Sequence, residues 1–137
     1  MAVLNKSDRM FKYLFLIAAI YDLVLGILFF LYYNQIFKLF DITRPIYPMY
    51  LQLSAAFVIA MGVGYFFIYL NMYRNIDLVK LGIVYKIVYS GLTSYFYFNN
   101  KADALFLWFA IIDVIFLVFF VWFLNHANKD KRYLKWK

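Results

Sequence analysis

The sequence predicts an all-α fold: a four-helix antiparallel transmembrane bundle. Two features of the chain carry that prediction. Hydrophobic residues make up 67% of the 137 residues, and mean hydropathy is +0.74; a soluble domain is closer to half apolar. The apolar residues fall into four runs, each near the roughly 20 residues a helix needs to cross the hydrocarbon core. Most of the basic residues lie between or beyond these runs.

The first span is expected over 13–33. Lys6, Arg9 and Lys12 precede it, as in a signal peptide. The run is nevertheless too long for a signal core, lacks an A-x-A cleavage site and contains Asp22, so it reads as a retained helix. The connector from Asn34 to Pro48 holds a short segment, 36–40, that suits an interfacial helix. Thr43-Arg44-Pro45 should break it, because a residue before proline avoids the α region. The second span is expected over 49–70, a loop over 71–80, and the third span over 81–98. Asn99-Asn100-Lys101-Ala102-Asp103 reads as a tight hairpin turn into the fourth span, 104–124. A basic tail, 125–137, then suits the cytoplasmic membrane surface. So arranged, the chain is a single transmembrane domain.

Ten Lys and Arg lie in the N-terminal segment, the 71–80 loop and the tail, against Lys38, Arg44 and Lys101 in the other two loops. This bias places both termini on the cytoplasmic side. Tyr47, Tyr50, Tyr73, Tyr95, Tyr97, Trp122, Tyr133 and Trp136 lie near the expected boundaries, as an aromatic belt would. Richness in Lys, Asn, Ile, Phe and Tyr fits an AT-rich bacterium, hence a bacterial cytoplasmic (inner) membrane.

Composition also excludes chemistry. There is no Cys, no Glu and one histidine, His126. Disulfides and thiolate catalysis are absent. Zinc, haem and di-iron centres draw on clusters of His, Cys and carboxylate, so neither metal nor cofactor is expected. His126 reads as a solvated histidine near the negative end of a helix dipole. The net charge of +7 comes without a nucleic-acid recognition module and points to topology and contact with anionic membrane lipids.

Helical spacing sorts the small and polar residues into stripes. These are Ala18, Asp22 and Gly26 in the first span, and Ala56, Ala60 and Gly64 in the second. The third carries Gly82, Lys86, Ser90 and Ser94, with Tyr89 and Thr93 alongside; the fourth carries Phe106, Ala110, Asp113 and Leu117. Small residues at four-residue steps let membrane helices approach closely.

Asp22, Lys86 and Asp113 are the informative residues. A charge at the centre of a spanning helix costs roughly 2.5–3.5 kcal/mol on insertion scales and marks function or an internal partner. Measured from the expected cytoplasmic ends at 1.5 Å per residue, Asp22 lies about 14 Å deep, Asp113 about 16 Å and Lys86 about 8 Å. A lysine side chain reaching about 6 Å along the axis brings the ammonium near both carboxylates; pointing the other way, it snorkels to the surface. Two carboxylates around one ammonium would titrate as a coupled set. Tyr21, Tyr85, Tyr89, Ser90 and Thr93 could satisfy the remaining hydrogen-bond capacity.

Such a cluster supports three readings. It could fix helix register, form the polar end of an intramembrane pocket, or relay protons in a membrane enzyme, although nothing marks a nucleophile. The preferred expectation is the pocket, with Asp22, Lys86, Asp113, Tyr89, Ser90 and Tyr21 at its polar end. Its ligand would be hydrophobic or amphipathic: a lipid, isoprenoid, quinone or sterol-like molecule. Tyr65, Phe66, Phe67, Tyr69 and Tyr95-Phe96-Tyr97-Phe98 are candidates for its aromatic wall; Gln52 and Ser54 are further pocket or interfacial polar groups. The alternatives are a membrane enzyme or accessory subunit using Asp22, Lys86 and Asp113 for proton transfer, or a small transporter or channel subunit. A homo-oligomer or a partner membrane subunit fits each.

Lys86 within Gly82-Ile83-Val84-Tyr85-Lys86, and Asp113 within Ile111-Ile112-Asp113, are placed as in small bacterial four-helix membrane proteins of the broad DoxX-like type, which the chain resembles over most of its length. The resemblance implies a small polytopic membrane protein. The chain departs from better-studied relatives in lacking membrane glutamates and Cys, so their redox role does not carry over.

Overall fold

The computed structural model describes residues 4–130, and among these the chain is helical, without strands. It contains α1 (Lys6–Leu31), α2 (Tyr33–Leu39), α3 (Pro48–Leu70), α4 (Ile76–Phe98) and α5 (Ala104–Asn128). By length and composition α1, α3 and α5 are long and apolar enough to cross a membrane. Helix α4 is as long as α3, at 23 residues, but Asp77, Lys80, Lys86 and its Tyr, Ser and Thr residues dilute its apolar content. The tail at 131–137, with Lys131, Arg132, Tyr133, Lys135, Trp136 and Lys137, lies outside the described residues.

Hydropathy marks where a helix is apolar, and the helices run past those limits. The first begins at Lys6 rather than at 13. The Asp8 carboxylate accepts the Asn5 backbone N–H at 3.3 Å, which secures a helix start among polar residues. It also stops earlier, at Leu31, where the Tyr32 N–H closes on the Leu28 carbonyl at 2.8 Å. The third expected span begins at Ile76 rather than at 81, with Asp77 in its first turn, favourable at a helix N-terminus. The last continues through His126 to Asn128 rather than stopping at 124.

The short helix expected over 36–40 forms as α2, three residues earlier at its start, and ends before Thr43-Arg44-Pro45. Asp41 takes up a left-handed conformation, φ 53°, while the Ile42 N–H bonds to the Phe37 carbonyl at 2.8 Å. This is a Schellman stop, with Asp where Gly is commonest. The same device ends α4. Asn100 has φ 55°, and the Lys101 and Asn100 N–H groups bond to the Phe96 and Tyr97 carbonyls at 2.8 and 3.0 Å.

The chain divides into two compact units, Met1–Leu70 and Asn71–Lys137. In the first, α1 and α3 pack as an antiparallel hairpin. Gly26 faces Ala55 and Ile59, and Gly62 faces Ala19 and Leu23. The expected contact stripe Ala56–Ala60–Gly64 is therefore corrected: Gly64 has nothing near it and Ala60 is exposed. The buried face of α3 is Ala55, Gly62, Tyr65 and Ile68. A strict four-residue step drifts off a 3.6-residue turn, whereas the real face runs in steps of seven, three and three residues, close to whole turns of the helix. Gln52 donates to the Phe30 carbonyl at 3.2 Å, tying α3 to the end of α1. Ser54 bonds within its own helix, to the Tyr50 carbonyl. The Lys12 ammonium lies 5.0 Å from the Tyr69 ring centroid, and Asp22 is buried in this unit.

In the second unit α4 and α5 form another antiparallel hairpin, joined by the 99–103 turn. Their buried stripes are Ile76, Val79, Gly82, Lys86, Ser90 and Thr93, and Ala110, Asp113, Phe116, Phe120, Phe123 and Ala127. Tyr73 packs on Phe123, ring centroids 6.0 Å apart, and its hydroxyl donates to Asp130 at 3.3 Å.

Candidate functional site

Two sequence-predicted residues meet in the second unit. The Lys86 ammonium donates to Asp113 Oδ1 at 2.6 Å. Lys86 is 0% exposed, so of the two directions open to its side chain it takes the inward one. The helices place the pair directly. Lys86 sits mid-way along the buried stripe of α4, Asp113 faces it from α5, and one turn further along α4 the Ser90 hydroxyl donates to the Ala110 carbonyl at 3.3 Å. Both links run between the same faces and fix one register.

Aromatic rings enclose the ammonium. Its nitrogen lies 5.2 Å from the Phe116 ring centroid, 5.7 Å from Tyr85 and 6.0 Å from Phe120. A cation within about 6 Å of a ring is drawn to its quadrupole, the more strongly when water is excluded. Phe116 and Phe120 themselves pack 6.2 Å apart. Neither was singled out from the sequence. The signal lies in their spacing, three and seven residues beyond Asp113, hence on its face of the helix.

Asp113 differs from its partner in one respect. Its side chain retains 7% exposure. Oδ1 is taken by Lys86, and among the described residues no donor is directed at the other carboxylate oxygen. The arrangement is thus a desolvated ion pair with one acceptor oxygen at its edge. Buried pairs of this kind add little net stability, yet losing one partner is costly because a charge is left stranded.

The remaining predicted residues fall as follows. Ser90 and Thr93 are buried on the stripe, and Tyr89 is half-buried beside it. Tyr21 and Asp22 belong to the first unit, half-buried and buried respectively. Of the expected aromatic wall, Tyr65 is buried, while Phe66, Phe67, Tyr95, Phe96 and Phe98 are exposed. Aromatic type alone does not separate wall from surface in a chain with 17 Phe and 14 Tyr. Comparison with family models, curated proteins and solved structures returned no match.

Proposed function

We propose that the chain is a small integral membrane protein. Its two hairpins assemble as a four-helix antiparallel bundle, with both termini on the cytoplasmic side, and the Lys86–Asp113 pair forms the polar end of an intramembrane ligand site. The observation that carries this reading is the pair itself. An ionisable couple held inside helices otherwise made for lipid is retained against an insertion cost of roughly 2.5–3.5 kcal/mol per charge.

The state of the pair narrows the ligand. Lys86 is committed to Asp113, and the partly exposed carboxylate edge is an acceptor. The matching head group is a donor, a hydroxyl on a long apolar body, as in an isoprenoid alcohol, a sterol or a quinol. A ketone or ester head offers only acceptors and would meet the carboxylate unfavourably.

The test compares a long-chain isoprenoid alcohol with its methyl ether, added to purified protein in detergent. At a ligand concentration a hundred times Kd, binding adds about 2.7 kcal/mol of stability. The alcohol should raise the melting temperature and the ether should not, and Asp113→Leu, which removes the acceptor, should abolish the difference. Equal shifts with both compounds, unchanged in the variant, would dismiss the site.

A second reading is favoured by the full enclosure of Lys86. In it the pair pins the α4–α5 register and holds no ligand. It predicts that both compounds leave the melting temperature unmoved, while variants of either partner lower it.

A further inference from the structure

We infer that α4 enters the membrane only together with α5, as one hairpin, and that the Lys86–Asp113 pair is the device that lets it do so. This rests on the four-span reading above and adds how the fourth span is made possible.

Helix α4 has the length of a span but is not among the three helices that qualify by their own composition. Its polar residues are not scattered. Lys86, Ser90 and Thr93 share its buried stripe with Gly82 and Val79, whereas Leu81, Val84, Ile87, Val88 and Leu92 are exposed. The outward face is therefore ready for lipid, and the polar content lies on the face that α5 covers. There α5 answers two of these groups. Asp113 takes the ammonium at 2.6 Å, the Ala110 carbonyl takes the Ser90 hydroxyl, and Phe116 and Phe120 close over the charge. Asp77 and Lys80, at the N-terminal end, pair with each other at 2.7 Å in an exposed position. Their charges lie where α4 leaves the apolar region. The connection helps, because the turn is closed by backbone hydrogen bonds at Asn100 and Lys101 and delivers α5 antiparallel to α4. A bare lysine has no partner in hydrocarbon; a lysine arriving with its aspartate has one.

The chain has no cysteine, so single added cysteines report sidedness against a clean background. Ser7→Cys marks the N-terminal segment and Lys101→Cys marks the α4–α5 turn, each in the full chain. Labelling uses a membrane-impermeant maleimide on sealed vesicles. With Lys86 and Asp113 intact, the two positions should label from opposite faces. Introducing Asp113→Leu should move Lys101→Cys to the Ser7→Cys face in a large fraction of molecules. Adding Lys86→Met to that variant should restore opposite labelling, since no lysine then needs a partner. Two results would overturn the inference: unchanged opposite labelling in Asp113→Leu, which would mean α4 crosses without the pair, or failure of Lys86→Met to restore it. Same-face labelling with both residues intact is a different failure; it would overturn the four-span reading and this inference with it.

Discussion

Lys86 and Asp113 form a buried ion pair, with side chains 0% and 7% exposed. Removing one partner of a buried pair costs about 3–5 kcal/mol, while replacing both by apolar residues of similar volume is often neutral. The two single losses should also differ. Lys86 is wholly enclosed, whereas the Asp113 side chain keeps 7% exposure and so has some access to water. Asp113→Leu, which takes the carboxylate away from the enclosed ammonium, should therefore lower unfolding stability in detergent more than Lys86→Met. The double variant should recover most of the loss. Additive costs in the double variant would mean the two residues act independently. At this scale the sequence is readable wherever a residue contradicts its surroundings. A lysine between Tyr85 and Ile87 stands out, as does an aspartate after Ile111-Ile112. Phe116 and Phe120 do not stand out, because they agree with theirs and only a partner helix distinguishes them.

At the scale of elements, close approach decides how the first hairpin packs. A Cβ at Gly26 would lie 2.6 Å from Ile59 Cγ1 and 2.9 Å from the Ala55 carbonyl oxygen. One at Gly62 would meet Leu23 Cγ at 2.8 Å and its backbone nitrogen at 2.9 Å. Backbone cannot swing aside, so Gly26→Ala and Gly62→Ala should each destabilise the protein by about 1–3 kcal/mol, the usual cost of overpacking. Gly64 and Gly91 meet nothing within 4 Å, and alanine there should stabilise by roughly 0.5–1 kcal/mol through helix propensity. Chemical unfolding of the four variants in detergent checks this; a uniform response would refute the assigned faces. Helix existence was legible from hydropathy alone, and the 99–103 turn from its Asn-Asn pair. Helix ends were not, because Asn5, Asp41 and Asn100 set them through backbone hydrogen bonds that leave no trace in a hydropathy profile. The α3 face was misjudged for a related reason: small residues in a row suggest a stripe, but only the neighbouring helix decides which row is used.

For the whole molecule, the exposed side of α5 gives a depth scale. Trp108 and Trp122 are both exposed and lie about 21 Å apart along the helix axis at 1.5 Å per residue, less than the roughly 30 Å of a hydrocarbon core, so the residues between them fall well inside it if α5 spans the membrane. Val114 and Val118, exposed between them, should then face lipid tails. Spin labels at these two positions should be relaxed by dissolved oxygen and shielded from a water-soluble nickel chelate, with the reverse balance at Lys101. Strong relaxation by nickel at Val118 would place α5 outside the hydrocarbon.

The proposed ligand site is tested most directly by identifying what the protein carries. Small molecules extracted from the purified protein would be identified by mass spectrometry, with Lys86→Met and Asp113→Leu prepared in parallel. The ligand reading predicts a defined hydroxyl-bearing amphiphile in stoichiometric amount, lost from both variants. Bulk membrane lipid alone, in equal amounts across all three proteins, would contradict it and leave the pair as the pin that holds α4 to α5.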